Sequence, residues 1–176
     1  MKIINTLEFS DQFMLDMISW CCSMDNLQID PGLIFSARFR NSNTRAYRGR
    51  AWMQKNGGWF YLELGTERFF PCEFTKYGVT TAVKDRIEGL IHVTAHELAH
   101  VKQHRLYTDA KHTTAYGRLP NGFAERMERE AELRSTLALE LFRRERQTLL
   151  DEWGYIEGDE DWNAMQKKIL TAATGL

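Results

Sequence analysis

The sequence predicts an α+β domain in which helices enclose a small antiparallel sheet, and three observations lead there. Apolar residues recur every three to four positions in residues 7–25, 82–107 and 122–151, the period of a helix with one buried face. Between the first and second of these stretches, residues 33–64 change to a period of two, as half-buried strands do. The joints are short and of turn type: Asp30-Pro31-Gly32, Asn41-Ser42-Asn43 and Lys55-Asn56-Gly57-Gly58.

Each element follows from its residues. In 7–25, Leu7, Phe13 or Met14, Met17, Ile18, Cys21 and Met24 line one helical face. Leu33, Phe35, Ala37 and Phe39 alternate with Ile34, Ser36, Arg38 and Arg40, which reads as a strand. Thr44–Gln54 continues extended, and the Lys55–Gly58 turn closes a hairpin onto Trp59–Leu64. Together these three runs predict a three-stranded antiparallel meander. Pro71 and Gly78 bracket a loop. Thr80 or Thr81 caps a helix over 82–107, with Val83, Ile87, Ile91, Thr94, Leu98 and Val101 on its buried stripe. A polar connection then leads to a helix that begins at Asn121 or Gly122 and runs to about Asp151. The acidic segment 154–176, with a short helix from Trp162 to Ala172, is set apart from a main domain of 1–153.

Composition narrows the class. A chain of 176 residues buries enough surface for one core and is short for two. Three cysteines, Cys21, Cys22 and Cys72, without CxxC spacing exclude a cysteine zinc knuckle and fit core thiols in a reducing compartment. The N-terminus carries Asp11 and Asp16 within its apolar stretch, unlike a secretory signal, and no apolar run approaches the ~20 residues of a membrane span. A cytoplasmic location without membrane partners is expected. The net charge of −1 conceals a contrast: residues 31–62 hold six bases and no acid, so the remainder, 17 bases against 24 acids, stands at −7.

The chemistry lies in His96-Glu97-Leu98-Ala99-His100 on the second long helix. With 5 His and 15 Glu in the chain, chance yields HExxH about once in a hundred such sequences, so the motif is specific before its helical setting is considered. Histidines four apart stand ~6 Å apart along the axis and ~40° around it, so both imidazoles can meet one ion. Glu97 projects from the neighbouring side, where it reaches water without filling a ligand position. A catalytic zinc needs a third ligand and an open position. His104 continues the series His92, His96, His100, but a metal between His96 and His100 lies ~9 Å from it along the axis. His92 and His104 are therefore read as outer groups. The following helix offers Glu128, which shares a face with Ala131, Ser135 and Ala138; with Ala124 one turn before, these small residues permit close approach to the metal helix. Glu128 leads as third ligand, ahead of Glu125, Glu132 and His112. Glu132, one turn on, is placed to hydrogen-bond a ligand histidine's outer nitrogen.

HELAH followed by Glu128-x-x-Ala131-Glu132 resembles the gluzincin branch of zinc metallopeptidases. The order helix, strands, metal helix, glutamate helix is similar to the minimal zincin scaffold and covers most of residues 7–150. The resemblance implies Zn2+ as cofactor, His96, His100 and Glu128 as its ligands, and Glu97 as general base in hydrolysis of a peptide or protein substrate. It departs at Glu132, where relatives often carry Asp. Gln103 and Leu106 stand where metzincins have glycine and a third histidine. SprT-like proteases, which act on DNA-attached proteins and take a loop histidine, are the alternative, with His112 in that role. A regulatory protein that keeps a zincin fold without turnover is a third reading, and retention of Glu97 argues against it.

Tyr107, His112 and Tyr116 are candidate donors to a developing oxyanion, and Trp59–Leu64 is the candidate edge strand for an extended substrate. Arg38, Arg40, Arg48 and Arg50, interleaved with aromatic residues, offer a nucleic-acid surface. A solvated or protein-facing sheet is favoured, because the −7 remainder repels a polyanion.

Overall fold

The computed structural model describes residues 1–5, 7, 9–40, 48–53, 60–65, 72–108 and 122–156. The chain opens with a four-residue strand, β1 (Lys2–Asn5), which periodicity is too short to reveal. The Asn5 side chain accepts from Leu7 N–H at 2.9 Å and donates to the Phe9 carbonyl at 2.7 Å, turning the backbone into α1 (Asp11–Ser23). Ser10 caps that helix by accepting from Phe13 N–H. Phe13, Met14, Met17, Ile18, Cys21 and Cys22 form its buried face, and the last two are free thiols, as the cysteine count implied.

The sheet differs from the expected meander. Strands β2 (Ile34–Arg40), β3 (Arg48–Met53) and β4 (Phe60–Gly65) join β1 in the order β1-β2-β4-β3. β2 runs parallel to both of its neighbours, and only β3–β4 is antiparallel, with Met53 opposite Phe60 as the hairpin reading required. The predicted three-stranded antiparallel sheet is thus a four-stranded mixed one. Strand composition accounts for the order. An interior strand forms ladders on both sides and suits the apolar sequence FYLELG, whereas RGRAWM, with two arginines and a glycine, suits an edge. β1–α1–β2 is a β-α-β crossover, which explains the parallel pairing on that side.

The stretch read as a loop is a second sheet, the hairpin β5 (Cys72–Lys76) and β6 (Val79–Val83). Its tip is Tyr77-Gly78, both left-handed with φ of 50° and 76°, the conformation that a two-residue hairpin needs. Val79, Thr81 and Val83 alternate inward, so Thr80 and Thr81 serve the strand and do not cap the helix. Thr81 Oγ1 sits 2.8 Å from Thr136 Oγ1, which ties the hairpin to the last helix.

Helix α2 (Arg86–Thr108) starts later than predicted, where the Asp85 carboxylate accepts from Glu88 N–H at 2.9 Å. The whole predicted stripe from Val83 to Val101 is buried, and so are Leu90, Val93, Ala95 and Ala99. Helix α3 (Phe123–Glu152) begins after Gly122, at φ 79°, close to the predicted bounds. Ala131, Ser135 and Ala138 are fully buried, so the small-residue face does admit α3 closely against α2; Ala124 is exposed and takes no part. At the far end Glu88 on α2 accepts two hydrogen bonds from the Arg143 guanidinium of α3, at 3.0 and 2.7 Å. An aromatic group of Phe13, Trp20, Phe142 and Trp153 joins α1 to the end of α3. Among the described residues no helix is long and apolar enough to cross a membrane. The acidic segment beyond Ile156 lies outside the described residues.

Candidate metal centre

The middle turns of α2 and the first turns of α3 build the site. α2 is buried on nearly every side, so its phase is held by the core and His96 and His100 project together. Their Nε2 atoms are 3.1 Å apart. Glu128 reaches across from α3, with Oε2 3.5 Å from His96 Nε2 and Oε1 3.5 Å from His100 Nε2. Around a tetrahedral zinc with bonds of ~2.0–2.2 Å, neighbouring ligand atoms stand about 3.3–3.5 Å apart. The two imidazole–carboxylate separations match that spacing and the imidazole pair is slightly closer, and two imidazoles with one carboxylate form a donor set that zinc accepts. The three residues are the one group among the described residues whose metal-binding atoms all lie within 4.8 Å of one another. Their side chains are 13%, 12% and 36% exposed, so the cluster is open to solvent on one side.

Charge supports the same description. The neighbouring imidazoles of His100 and His96 hold the Glu128 carboxyl far below the usual carboxylate range. Burial works to lower the His100 imidazole, but Glu128 and Glu97 outweigh it and leave His100 above its ordinary value. Glu97 is 5% exposed; burial pushes its carboxyl up, against the pull of His96 and His100 and a hydrogen bond from the Ala51 backbone N–H. That bond sets edge strand β3 beside Glu97. The candidate substrate edge, Trp59–Leu64, is accordingly corrected: β4 lies between β2 and β3, and among the described strands of this sheet the edges are β1 and β3.

Behind the cluster sits a buried polar layer. Glu132, 1% exposed, has Oε1 3.6 Å from His96 Nδ1 and Oε2 3.3 Å from His92 Nε2. His92, 2% exposed, also meets Ser135 Oγ at 2.9 Å. Burial lowers the His92 imidazole despite Glu132, and Glu132 is itself held down by His92 and His96 against its own burial. Glu132 therefore stands behind His96 as the outer carboxylate. Glu125 is exposed at the start of α3, and α2 runs unbroken through His104, one turn beyond His100. His112 and Tyr116 lie outside the described residues, as do the side chains of Tyr107, Arg40, Arg48 and Arg50; Arg38 is exposed on β2.

Three participants were not legible in the sequence pattern. Gln103 touches His100 Nδ1 through Oε1 at 2.8 Å, a contact that its i+3 spacing on one helix permits. Lys76 Nζ stands 3.6 Å from Glu132 Oε1, and its neighbour Tyr77, 44% exposed, feels the charges of Glu128, Glu132 and Glu125, which with partial burial raise its phenol. Both come from the unpredicted β5–β6 hairpin, whose Tyr-Gly tip was the available signal. No family model, curated protein or solved structure matches this chain.

Proposed function

We propose that this protein is a zinc metallopeptidase of the gluzincin type, in which His96, His100 and Glu128 hold the ion and Glu97 is the general base. The observation that carries the reading is the convergence of two imidazole nitrogens and a carboxylate at 3.1–3.5 Å, with a glutamate beside them. The order of α1, a small sheet, α2 and α3 supports the zincin-like scaffold. Bound zinc would supply a water of lowered pKa and polarise a substrate carbonyl.

The residues of the chain do the rest. Glu97, buried and with raised proton affinity, accepts a proton and returns it to the leaving amine. Glu132 lies 3.6 Å behind His96 Nδ1 and places negative charge on that side of the ring. An extended peptide adds to β3, an edge strand of the described sheet beside Glu97, so backbone pairing brings the scissile bond to the base. Glu128 as the third donor favours this reading over the SprT-like one, which requires His112.

Cleavage of an unfolded protein substrate by the zinc-loaded chain tests the proposal. Glu97→Gln is expected to keep zinc and lose about 10²–10⁴-fold in rate. Zinc binding without cleavage in the wild type would move the assignment to a non-catalytic regulator. Zinc loss in His112→Ala but not in Glu128→Ala would move it to the SprT-like alternative.

A further inference from the structure

We infer that Gln103 is the positioning residue that selects the metal-binding nitrogen of His100, an inference that rests on the metal-centre reading above. Gln103 is 2% exposed on α2, and its amide is clamped from two sides. Nε2 lies 2.9 Å from the Met127 carbonyl and 3.3 Å from Glu130 Oε2, both of which only accept hydrogen bonds. Turning the amide oxygen toward them would crowd three oxygens without a proton between them, so the NH2 group faces α3. Oε1 then faces His100 Nδ1 at 2.8 Å, and an oxygen acceptor requires the ring proton to sit on Nδ1.

A neutral imidazole carries one ring proton. With that proton on Nδ1, His100 Nε2 keeps its lone pair. This is the nitrogen that stands 3.1 Å from His96 Nε2 and 3.5 Å from Glu128 Oε1. The cluster thus presents a lone pair toward the ion position, and the tautomer is set by a residue that touches no metal.

The clamp is itself anchored. Glu130 Oε1 accepts from Arg134 Nε at 2.9 Å and from Nη2 at 2.5 Å, and Arg134 Nη1 donates to the Asn26 carbonyl in the loop after α1. The orientation of Gln103 is therefore supported by α3 and by the loop that follows α1. The two histidines have neighbours of different charge: a carboxylate, Glu132, 3.6 Å behind His96 Nδ1 and a neutral amide hydrogen-bonded to His100. The amide orients its ring without adding negative charge to a site that already holds Glu97, Glu128 and Glu132.

The test pairs zinc affinity with a tautomer measurement. Gln103→Met keeps the length and shape of the side chain and removes the acceptor. Zinc affinity is read by competition with a chromophoric chelator, after thermal melting has shown that the variant is folded. Loss of an outer hydrogen-bond partner is expected to weaken zinc about 10–100-fold. Independently, long-range 1H–15N correlation spectra of the metal-free wild type in alkaline buffer, where the ring is neutral, are expected to show the His100 proton on Nδ1. In Gln103→Met the spectra should show a mixture of tautomers. A wild-type His100 protonated on Nε2, or a folded Gln103→Met with zinc affinity within twofold of wild type, would overturn the inference and leave the metal centre standing. A wild type that binds no zinc would overturn the metal centre itself.

Discussion

Replacing Arg143 with methionine probes the contact that seats the start of α2 on α3. The guanidinium gives two hydrogen bonds to Glu88, at 3.0 and 2.7 Å, and a third to the Ala82 carbonyl at 2.5 Å. Glu88 is only 2% exposed, so removing its partner leaves a nearly buried carboxylate with the Lys84 N–H as its hydrogen bond and the more distant charge of Arg146. Breaking a fully buried pair costs ~3–5 kcal/mol; with Arg143 21% exposed, about 2–3 kcal/mol is expected. For a chain of this size that is a fall in Tm of about 5–10 °C.

The effect has a definite pH signature. Burial alone pushes the Glu88 carboxyl up, but Arg143 and the Lys84 N–H override it and hold the group below the usual carboxylate range. Folding thus favours the ionised form. Its contribution is fully present above the unfolded carboxyl's pKa of about 4.3 and fades as pH falls through the lower native value. The wild-type advantage over Arg143→Met should therefore be largest at neutral pH and narrow below about pH 4. The double variant Glu88→Gln/Arg143→Met should recover most of the loss at neutral pH, because the stranded charge is gone. Urea unfolding of the four proteins at several pH values measures all of this. A single variant within ~0.5 kcal/mol of wild type at neutral pH, or a gap independent of pH, would refute the reasoning.

Other outcomes follow from the same packing. Ala138→Leu inserts a branched side chain into the closed α2–α3 contact and should cost about 1–3 kcal/mol in urea unfolding while weakening zinc, since Glu128 shares that helix. A Cβ added at Gly78 meets no atom within 4 Å, so the expected loss of about 1–2 kcal/mol in Gly78→Ala comes from φ 76°, and Gly78→Asn should lose much less; equal costs would contradict this. Free zinc at 100 times its Kd should stabilise the fold by ~2.7 kcal/mol, reversed by a chelator and absent in His96→Ala, as read by thermal melting.

The parts of this molecule that the sequence made legible are those written in local spacing. His96 and His100 four apart, Glu128 in phase with Ala131, Ser135 and Ala138, and the apolar stripe from Val83 to Val101 all keep their meaning because helix geometry maps sequence distance directly onto space. The sheet does not work that way. Whether β2 pairs with β3 or β4 depends on which strand fills the middle of the sheet, a competition among distant segments, so a meander was expected where a mixed sheet formed. β1 is too short to carry a period. In the β5–β6 hairpin, Thr80 and Thr81 fit both a helix cap and a β-branched strand, and the Tyr77-Gly78 turn decides between them. Gln103 was invisible for another reason: its role lies in two acceptors on α3 that only the tertiary contact supplies.

The central claim is that His96, His100 and Glu128 together hold one ion, and metal analysis after exhaustive dialysis at neutral pH tests it most directly. About one zinc per wild-type chain is expected, with a large loss in Glu128→Ala and the fold retained by circular dichroism. A metal-free wild type, or a Glu128→Ala variant that holds zinc as tightly as wild type, would contradict it.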